Sequence, residues 1–201
     1  MKIALFGGTF DPPHTGHLLI AEYILKNTIY PIDELWFVPT YNQRYFGIDP
    51  QKMASSYEVR LEMISCMSRS ISNTQVSILE KEHALSGQTK DLFLWLPKEN
   101  DYCFIIGTDQ LVSFHRWSEY EMLLATMPFL VYPRAGYPAE PLYQNMIVID
   151  GEAPVTNFSS TMVREMIGKG ERADGIILPE VYELIQKHGL YRRSERKEQK
   201  K

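Results

Sequence analysis

The sequence predicts an α/β domain built on a mainly parallel β-sheet. Short apolar runs bounded by turn residues alternate along the chain with longer stretches of helical period, and this alternation is typical of that fold class. The runs are almost continuously apolar, so we expect the strands to be buried on both faces. A chain of 201 residues with 44% hydrophobic and 23% charged residues suits one globular domain, which we place at residues 1–191.

Six apolar runs are the candidate strands, and the first helix follows the first of them. In chain order the strands are predicted at Ile3–Phe6, Leu35–Val38, Gln75–Leu79, Tyr102–Ile106, Phe129–Tyr132 and Met146–Ile149. A helix is predicted over Leu18–Lys26 because apolar residues recur there at helical spacing.

Further helices are predicted from their end signals. The segment Ser55–Glu58 has the pattern of a capping box and predicts a helix to about residue 67. Glu119–Ala125 is another helical candidate. Near the C-terminus a helix is expected over Glu180–His188, because Pro179 suits a first helical position and Gly189 suits the residue just past the end.

Charge and composition exclude several classes of partner. Lys and Arg total 21 against 25 Asp and Glu, a formal charge of -4, so there is no electrostatic case for binding nucleic acid. Six positive residues lie in the segment 192–201, which we expect to be a solvated, disordered tail. No apolar run approaches the roughly 20 residues that span a bilayer, so no membrane association is expected.

The two cysteines and the N-terminus indicate a cytoplasmic protein. Cys66 and Cys103 both lie in apolar segments, which suits buried free thiols in a reducing compartment. The chain opens with Lys2–Phe6 and then a glycine pair, too short an apolar run for a signal peptide.

The segment after the first strand, Gly7–His17, predicts a phosphate-binding loop. It reads GGTFDPPHTGH and lies between a strand and a helix, at the sheet edge where open α/β folds bind ligands. Glycines let the backbone approach a ligand, and the helix start offers unpaired N–H groups to phosphate. His14 and His17 are three residues apart, so if both belong to the helix start they share one face and can donate to the same anion. A zinc pair, or two histidines that merely cap and pack, are the alternatives.

This segment resembles the GGTFDPxHxGH motif of the nucleotidyltransferase superfamily, specifically the bacterial nicotinate-nucleotide adenylyltransferases. The resemblance runs from Lys2 to about Tyr191 and implies a Rossmann-like, doubly wound sheet with helices on both faces. It also implies that His14 and His17 are catalytic, holding phosphates and stabilising the transition state. The residues it implies as ATP-binding in this loop are Gly7, Gly8, Thr9 and Phe10.

A second predicted phosphate-binding segment lies at Asn157–Glu165. Taken alone it is an ordinary capped helix start, with hydroxyl residues where orphan N–H groups need partners. It also resembles the family's ISSTxIR motif, with Phe158 where isoleucine is usual. That resemblance implies a catalytic Arg164, and it implies that Ser159, Ser160 and Thr161 bind ATP.

Four further residues are implied by shorter family-like segments. Asp109 ends a stretch that resembles IIGAD and is expected in the nucleotide cleft, with a helix cap as an equal alternative. Trp117, in an FxxW-like segment, is expected to contact the acceptor base, and a core tryptophan is the alternative. Thr89 matches the SxxTxDT segment and Arg134 the xRPG stretch, so both are assigned to acceptor binding.

Two departures from the family pattern concern the acceptor. Where the family has a PPHK motif, this chain reads Thr40–Ile48, so Arg44, or else Lys52, is expected to supply the missing positive charge. Ser118 follows the tryptophan where a tyrosine is common. These differences leave the acceptor less defined than the reaction.

The resemblance implies transfer of AMP from ATP to nicotinate mononucleotide, giving deamido-NAD and pyrophosphate. Magnesium (Mg²⁺) is expected to arrive with ATP rather than in a protein metal site. The alternatives are nicotinamide mononucleotide as acceptor, pantetheine-phosphate adenylyl transfer, a cytidylyltransferase, and a catalytically silent nucleotide-binding regulator. Expected partners are ATP and a pyridine mononucleotide, with a homo-oligomer left open.

Overall fold

The computed structural model describes residues 1–26, 30–42, 55–149 and 153–192. Its centre is a six-stranded sheet in which all neighbouring strands are parallel, in the order β3-β2-β1-β4-β5-β6. In chain order, β1 to β6 cover Lys2–Gly8, Glu34–Pro39, Thr74–Val76, Asp101–Gly107, Phe129–Tyr132 and Met146–Val148. The predicted α/β class and its parallel sheet are confirmed.

Helices cover both faces of this sheet. In chain order, α1 to α8 are Thr15–Lys26, Tyr57–Arg69, Leu79–Glu82, Thr89–Phe93, Thr108–Phe114, Tyr120–Thr126, Ser160–Gly168 and Pro179–Lys187. The prediction that the third strand reaches Leu79 was wrong, because that residue begins α3. The capping residue of α2 is Ser56, whose Oγ accepts from the Val59 N–H at 3.4 Å.

Two large apolar clusters lie on opposite faces of the sheet. Alternate residues of β1 divide between them, since Ala4 belongs to one cluster while Ile3 and Leu5 belong to the other. This confirms the prediction that the central strands are buried on both faces. A smaller third cluster joins α7 and α8 to α2, with Met63 against residues such as Val181. The C-terminal helices are therefore held beside the sheet edge that carries the loop after β1.

The chain order places a crevice at the carboxyl end of β1. The strand pairs with β2 on one side and β4 on the other, and the connections leave in opposite directions. In doubly wound sheets such a switch point is where ligands bind. The loop after β2 closes one side of the crevice, because the Thr40 N–H donates to the Gly8 carbonyl at 2.9 Å.

The other expectations have mixed outcomes. Cys103 is a buried free thiol, and burial raises its pKa to about 12. Cys66 is a free thiol but only half-buried, because it faces the end of α2, where its Sγ accepts from Arg69 Nη2 at 3.2 Å. In the part of the chain that the structure describes, none of the helices is both long and apolar enough to cross a membrane. The segment 193–201 lies outside the described residues.

Candidate active site

The loop after β1 turns sharply at Phe10. This residue has a φ of 50° and a fully buried ring, which packs edge-on against His17 with centroids 5.1 Å apart and against Phe37 at 5.8 Å. The side chain belongs to the core, which leaves the Phe10 backbone as the part that can face a ligand. The loop is therefore anchored at its centre by an apolar contact.

The two histidines of the loop lie face to face. Their ring centroids are 3.8 Å apart, and the His14 N–H donates to His17 Nδ1 at 3.1 Å. Because Nδ1 of His17 is an acceptor, the neutral ring carries its proton on Nε2 and can donate from there. Nδ1 of the buried His14 has no hydrogen-bond partner among the described residues. Both rings thus keep nitrogen atoms available for another group.

Burial keeps both histidines neutral. It lowers the pKa of His14 to about 4, with a further contribution from the nearby charge of Arg134. The pKa of His17 is also lowered well below its ordinary value, chiefly by burial and then by His14 and Arg134. At neutral pH the pair offers neutral donors rather than two imidazolium ions.

Gly16 lets the segment before α7 close on the histidines. A Cβ at this position would lie 2.8 Å from His14 Nδ1 and 2.9 Å from Thr156 Oγ1, closer than real Cβ contacts allow. The absence of a side chain therefore brings Thr156, far along the sequence, against the histidine loop.

The two predicted phosphate-binding segments meet at this point. Arg164 Nη1 donates to the Asp11 carbonyl at 2.7 Å, and Ser160 Oγ donates to the Pro12 carbonyl at 2.8 Å. Thr161 Oγ1 accepts from Arg164 Nη2 at 3.1 Å. Ser159 is the N-cap of α7, its Oγ accepting from the Met162 N–H at 3.2 Å. The structure therefore brings the N-terminus of α7 to the histidine loop.

Asp109 and Arg134 lie at the same edge of the sheet. Asp109 Oδ1 is 3.9 Å from Arg134 Nε, and the Arg134 N–H donates to Thr108 Oγ1 at 2.9 Å. A Cβ at Gly107 would lie 2.2 Å from Asp109 Oδ1, so a side chain at this position would displace the carboxylate from its present place. Among the described residues no capping hydrogen bond from Asp109 to the start of α5 is recorded, and its carboxylate is half-exposed.

A cavity of about 230 Å³ opens beside the loop. Its walls include Thr9, Thr40, Glu80, Thr89 and Trp117. The tryptophan packs on the core as well, so it serves as both core residue and cavity wall. Two of the four acceptor-binding residues that the sequence predicted, Thr89 and Trp117, thus line one cavity.

The other two acceptor predictions fall elsewhere. Arg134 does not line this cavity and lies instead close enough to His14 and His17 to lower the pKa of both. Arg44 lies outside the described residues.

Sequence reasoning missed a buried arginine that joins the two loops. Arg60 of α2 is fully buried, and its Nη1 donates to the Thr9 carbonyl at 2.7 Å while its Nη2 donates to the Thr40 carbonyl at 2.8 Å. Burial lowers the pKa of this guanidinium from its ordinary value. The available signal was its spacing, since Arg60 shares the apolar face of α2 with Tyr57 and Ile64.

Two more polar residues were missed. The Tyr191 hydroxyl donates to Asp11 Oδ1 at 2.6 Å and lies 3.0 Å from Ser55 Oγ. Glu80 is buried, and its Oε2 accepts from the Tyr41 N–H at 2.8 Å. Nothing in the local sequence identifies either contact, because each partner is remote along the chain.

Comparison with known proteins gives consistent matches along the chain. The cytidylyltransferase-like family model matches residues 5–166. A Halalkalibacterium halodurans protein named probable nicotinate-nucleotide adenylyltransferase is 32% identical, with 96% of this chain and 93% of the relative covered. The Bacillus subtilis nicotinate-nucleotide adenylyltransferase is 33% identical, with 94% of this chain and 98% of the relative covered.

Two solved structures share the fold. A putative nicotinate-nucleotide adenylyltransferase from Vibrio parahaemolyticus superposes with a TM-score of 0.65 at 22% identity, over 96% of each chain. The Plasmodium falciparum nicotinic acid mononucleotide adenylyltransferase, solved in complex with NaAD, superposes with a TM-score of 0.71 at 18% identity. That match covers 94% of this chain and 97% of the other. At these identities the likeness concerns the fold.

Proposed function

The chain belongs to the nicotinate-nucleotide adenylyltransferase family of cytidylyltransferase-like proteins, and on that premise we propose that it transfers the adenylyl group of ATP to nicotinate mononucleotide. The products are deamido-NAD and pyrophosphate, which makes the protein an enzyme of NAD biosynthesis. The names of its relatives support this activity. The observation that carries it is the contact between the two predicted phosphate-binding segments, from Arg164 to the Asp11 carbonyl.

The reaction is an in-line displacement that needs no general base. The acceptor's phosphate has a second pKa of about 6, so it is largely dianionic at neutral pH. One of its oxygens forms a bond to the α-phosphorus of ATP. The bond from that phosphorus to the oxygen bridging to the β-phosphate breaks, and pyrophosphate leaves with the electron pair. The chain then has only to align the reactants and stabilise the developing charge.

His14, His17 and Arg164 are the proposed catalytic residues. The histidines donate neutral N–H groups to phosphate oxygens, His17 from Nε2, because its Nδ1 is already an acceptor. Arg164 has five N–H donors, of which those to Asp11 and Thr161 occupy two. The remaining donors are available to the triphosphate, where charge accumulates in the transition state.

The proposed ATP-binding residues act largely through the backbone. Ser159 and Ser160 already use their hydroxyls within the protein, so their contribution is the set of unpaired N–H groups at the start of α7. The full set comprises Gly7, Gly8, Thr9, Phe10, Asp109, Ser159, Ser160 and Thr161.

The acceptor is proposed to span the cavity and the histidine pair. Trp117 stacks on the pyridine ring and Thr89 hydrogen-bonds it, since both line the cavity. The acceptor's phosphate must reach the α-phosphate of ATP, which brings it towards the histidines. Arg134 lies there, so we assign it to the acceptor's phosphate. Arg44 stays a prediction for the same negative charge.

Magnesium is proposed to arrive with ATP. The ion prefers oxygen ligands and keeps several waters, so phosphate oxygens can supply most of its ligands. Asp109 is half-exposed at this edge and can accept hydrogen bonds from that water shell. When bound, the ion neutralises negative charge on the phosphates. Among the described residues, no three His, Cys, Asp or Glu side chains come together as a metal site.

A pyrophosphate-release screen tests the proposal. ATP is supplied with nicotinate mononucleotide, nicotinamide mononucleotide or phosphopantetheine, and we expect the highest kcat/KM with the first. His17→Ala should lower kcat by roughly 100-fold or more, the usual cost of a lost transition-state donor. His188→Ala is the matched control, because that exposed histidine lies at the end of α8 beside Glu62.

Two outcomes would overturn the proposal in different ways. Release only with phosphopantetheine would place the protein in the pantetheine-phosphate class. ATP binding without release for any acceptor would identify a catalytically silent nucleotide-binding regulator.

A further inference from the structure

Glu80 is a buried carboxyl in the wall of the acceptor cavity. It is the second residue of α3, is 6% exposed, and shares the cavity with Thr89 and Trp117. Acidic side chains are almost never this buried unless they are paired. None of the ion pairs among the described residues involves Glu80. The fold therefore keeps an acidic group where the acceptor is proposed to bind.

One oxygen of this carboxyl is held by a residue that the structure describes. Oε2 accepts from the Tyr41 N–H at 2.8 Å, which fixes the side chain against the loop after β2. Within the described ranges the structure records no hydrogen bond to Oε1. A carboxyl has two oxygens with several acceptor positions, and Glu80 lines the cavity, so a ligand there can reach this group.

Groups from three neighbouring elements face Glu80. Arg60 and Tyr57 approach from α2, Asp91 from α4, and Tyr41 through its N–H from the loop after β2. The guanidinium of Arg60 is already bonded to two carbonyls, so its attraction is shared. Burial is the largest effect, and it raises the pKa of Glu80 to about 7 against the opposing effects of the Tyr41 N–H and Arg60. The carboxyl therefore changes charge near neutral pH.

We propose that Glu80 is a specificity-determining residue that decides between acidic and amide acceptors according to its own charge. This rests on the function proposed above. A protonated carboxyl donates an O–H hydrogen bond to the carboxylate of nicotinate mononucleotide. An ionised carboxyl repels that carboxylate, whereas it accepts a hydrogen bond from the carboxamide N–H of nicotinamide mononucleotide. One side chain thus favours the acid at low pH and the amide at high pH.

The test is the ratio of kcat/KM for the two acceptors as a function of pH. ATP is kept saturating, and each rate is measured by pyrophosphate release from pH 5.5 to pH 9. The ratio cancels titrations on the ATP side and on the acceptors' phosphates, because both acceptors carry the same phosphate. With a pKa of about 7, about 90% of Glu80 is protonated at pH 6 and about 10% at pH 8. The rate with the acid should follow the protonated fraction, so we expect the acid-to-amide ratio to fall by at least about tenfold between these two values.

Glu80→Gln fixes the group in a neutral, hydrogen-bonding form. The ratio should then be independent of pH, and at pH 8 it should be at least about tenfold higher than in the unmodified protein. Glu82→Gln is the matched control, because Glu82 is exposed on the same short helix and the net charge changes equally. A folding defect would lower both rates alike and leave the ratio unchanged.

Two results would overturn the inference. One is a ratio that stays constant or rises from pH 6 to pH 8 in the unmodified protein. The other is an unchanged pH profile in Glu80→Gln. Failure of the proposed function is distinct from both, because no pyrophosphate would then be released with either acceptor at any pH.

Discussion

The hydroxyl of Tyr191 should stabilise the protein out of proportion to its size. Tyr191→Phe removes one oxygen and creates no large cavity. It deletes the 2.6 Å hydrogen bond to Asp11 Oδ1 and the 3.0 Å contact with Ser55 Oγ. Asp11 is 3% exposed, so solvent cannot replace the lost donor freely.

The expected loss follows from the charge of the acceptor. A hydrogen bond to a charged group contributes about 1.5–3 kcal/mol, and leaving its buried partner unsatisfied costs a similar amount. The Ser55 hydroxyl can turn towards Asp11 and recover part of this. We therefore expect the free energy of unfolding to fall by about 2 kcal/mol, which corresponds to a fall in Tm of about 4–8 °C for a chain of this size.

Urea unfolding followed by circular dichroism measures the change. The midpoint should fall with an unchanged m-value, since the fold and the surface exposed on unfolding stay the same. Tyr137→Phe is the matched control, because Tyr137 is half exposed and no hydrogen bond to its hydroxyl is recorded among the described residues. The KM for ATP should rise as well, since the same Asp11 holds Arg164 through its carbonyl. A midpoint equal to that of the unmodified protein would refute the reasoning.

Three further predictions concern the phosphate site. His14 has a pKa of about 4 in the folded protein and about 6.5 in the unfolded chain, so the unfolded state binds a proton first as pH falls. The free energy of unfolding should therefore fall by about 3 kcal/mol between pH 6.5 and pH 4. In urea unfolding without ligand, the His14→Gln variant should lack this part of the pH dependence. The prediction is contradicted if the free energy of unfolding depends on pH in the same way in the variant and in the unmodified protein. Arg164→Lys cannot form the same fork of hydrogen bonds, so kcat for pyrophosphate release should fall at least tenfold, and an unchanged kcat would exclude the assigned role. In Arg60→Lys the shorter set of donors can reach only one of the two carbonyls that Arg60 bonds. We expect Tm to fall and the KM values for both substrates to rise together. A fall in Tm alone would show that Arg60 has a purely structural role.

The parts of the fold that could be predicted are those with a strong local signal. The four central strands are buried on both faces, which forces continuous apolar runs, and these were predicted within a few residues. The strand predicted over Gln75–Leu79 was too long, because β3 ends at Val76, Ile78 is the N-cap of α3 and Leu79 is its first residue. The helices α3, α4 and α5 have four, five and seven residues, too few to show a helical period.

The candidate site also has parts that could be predicted from the sequence and parts that could not. Its two predicted phosphate-binding segments are contiguous in sequence, so their composition and spacing could be recognised, and the structure brings them together. The contacts that hold these segments depend on partners far apart along the chain. Tyr191 and Asp11 are separated by 180 residues, and Arg60 and Thr9 by 51. Such pairs leave no pattern in a single sequence, because each half of the contact is an ordinary residue in its own segment.

The loop after β1 explains why these remote donors are needed. A loop that turns its N–H groups towards phosphate turns carbonyls the other way, and buried carbonyls must find donors. The Thr9 carbonyl is bonded by Arg60, the Asp11 carbonyl by Arg164 and the Pro12 carbonyl by a hydroxyl of α7. These donors come from two separate helices, so the side of the loop that is proposed to face phosphate is fixed by contacts on its opposite side. The motif therefore supplies the groups that are proposed to face the ligand, and the rest of the chain supplies the contacts that hold them in place.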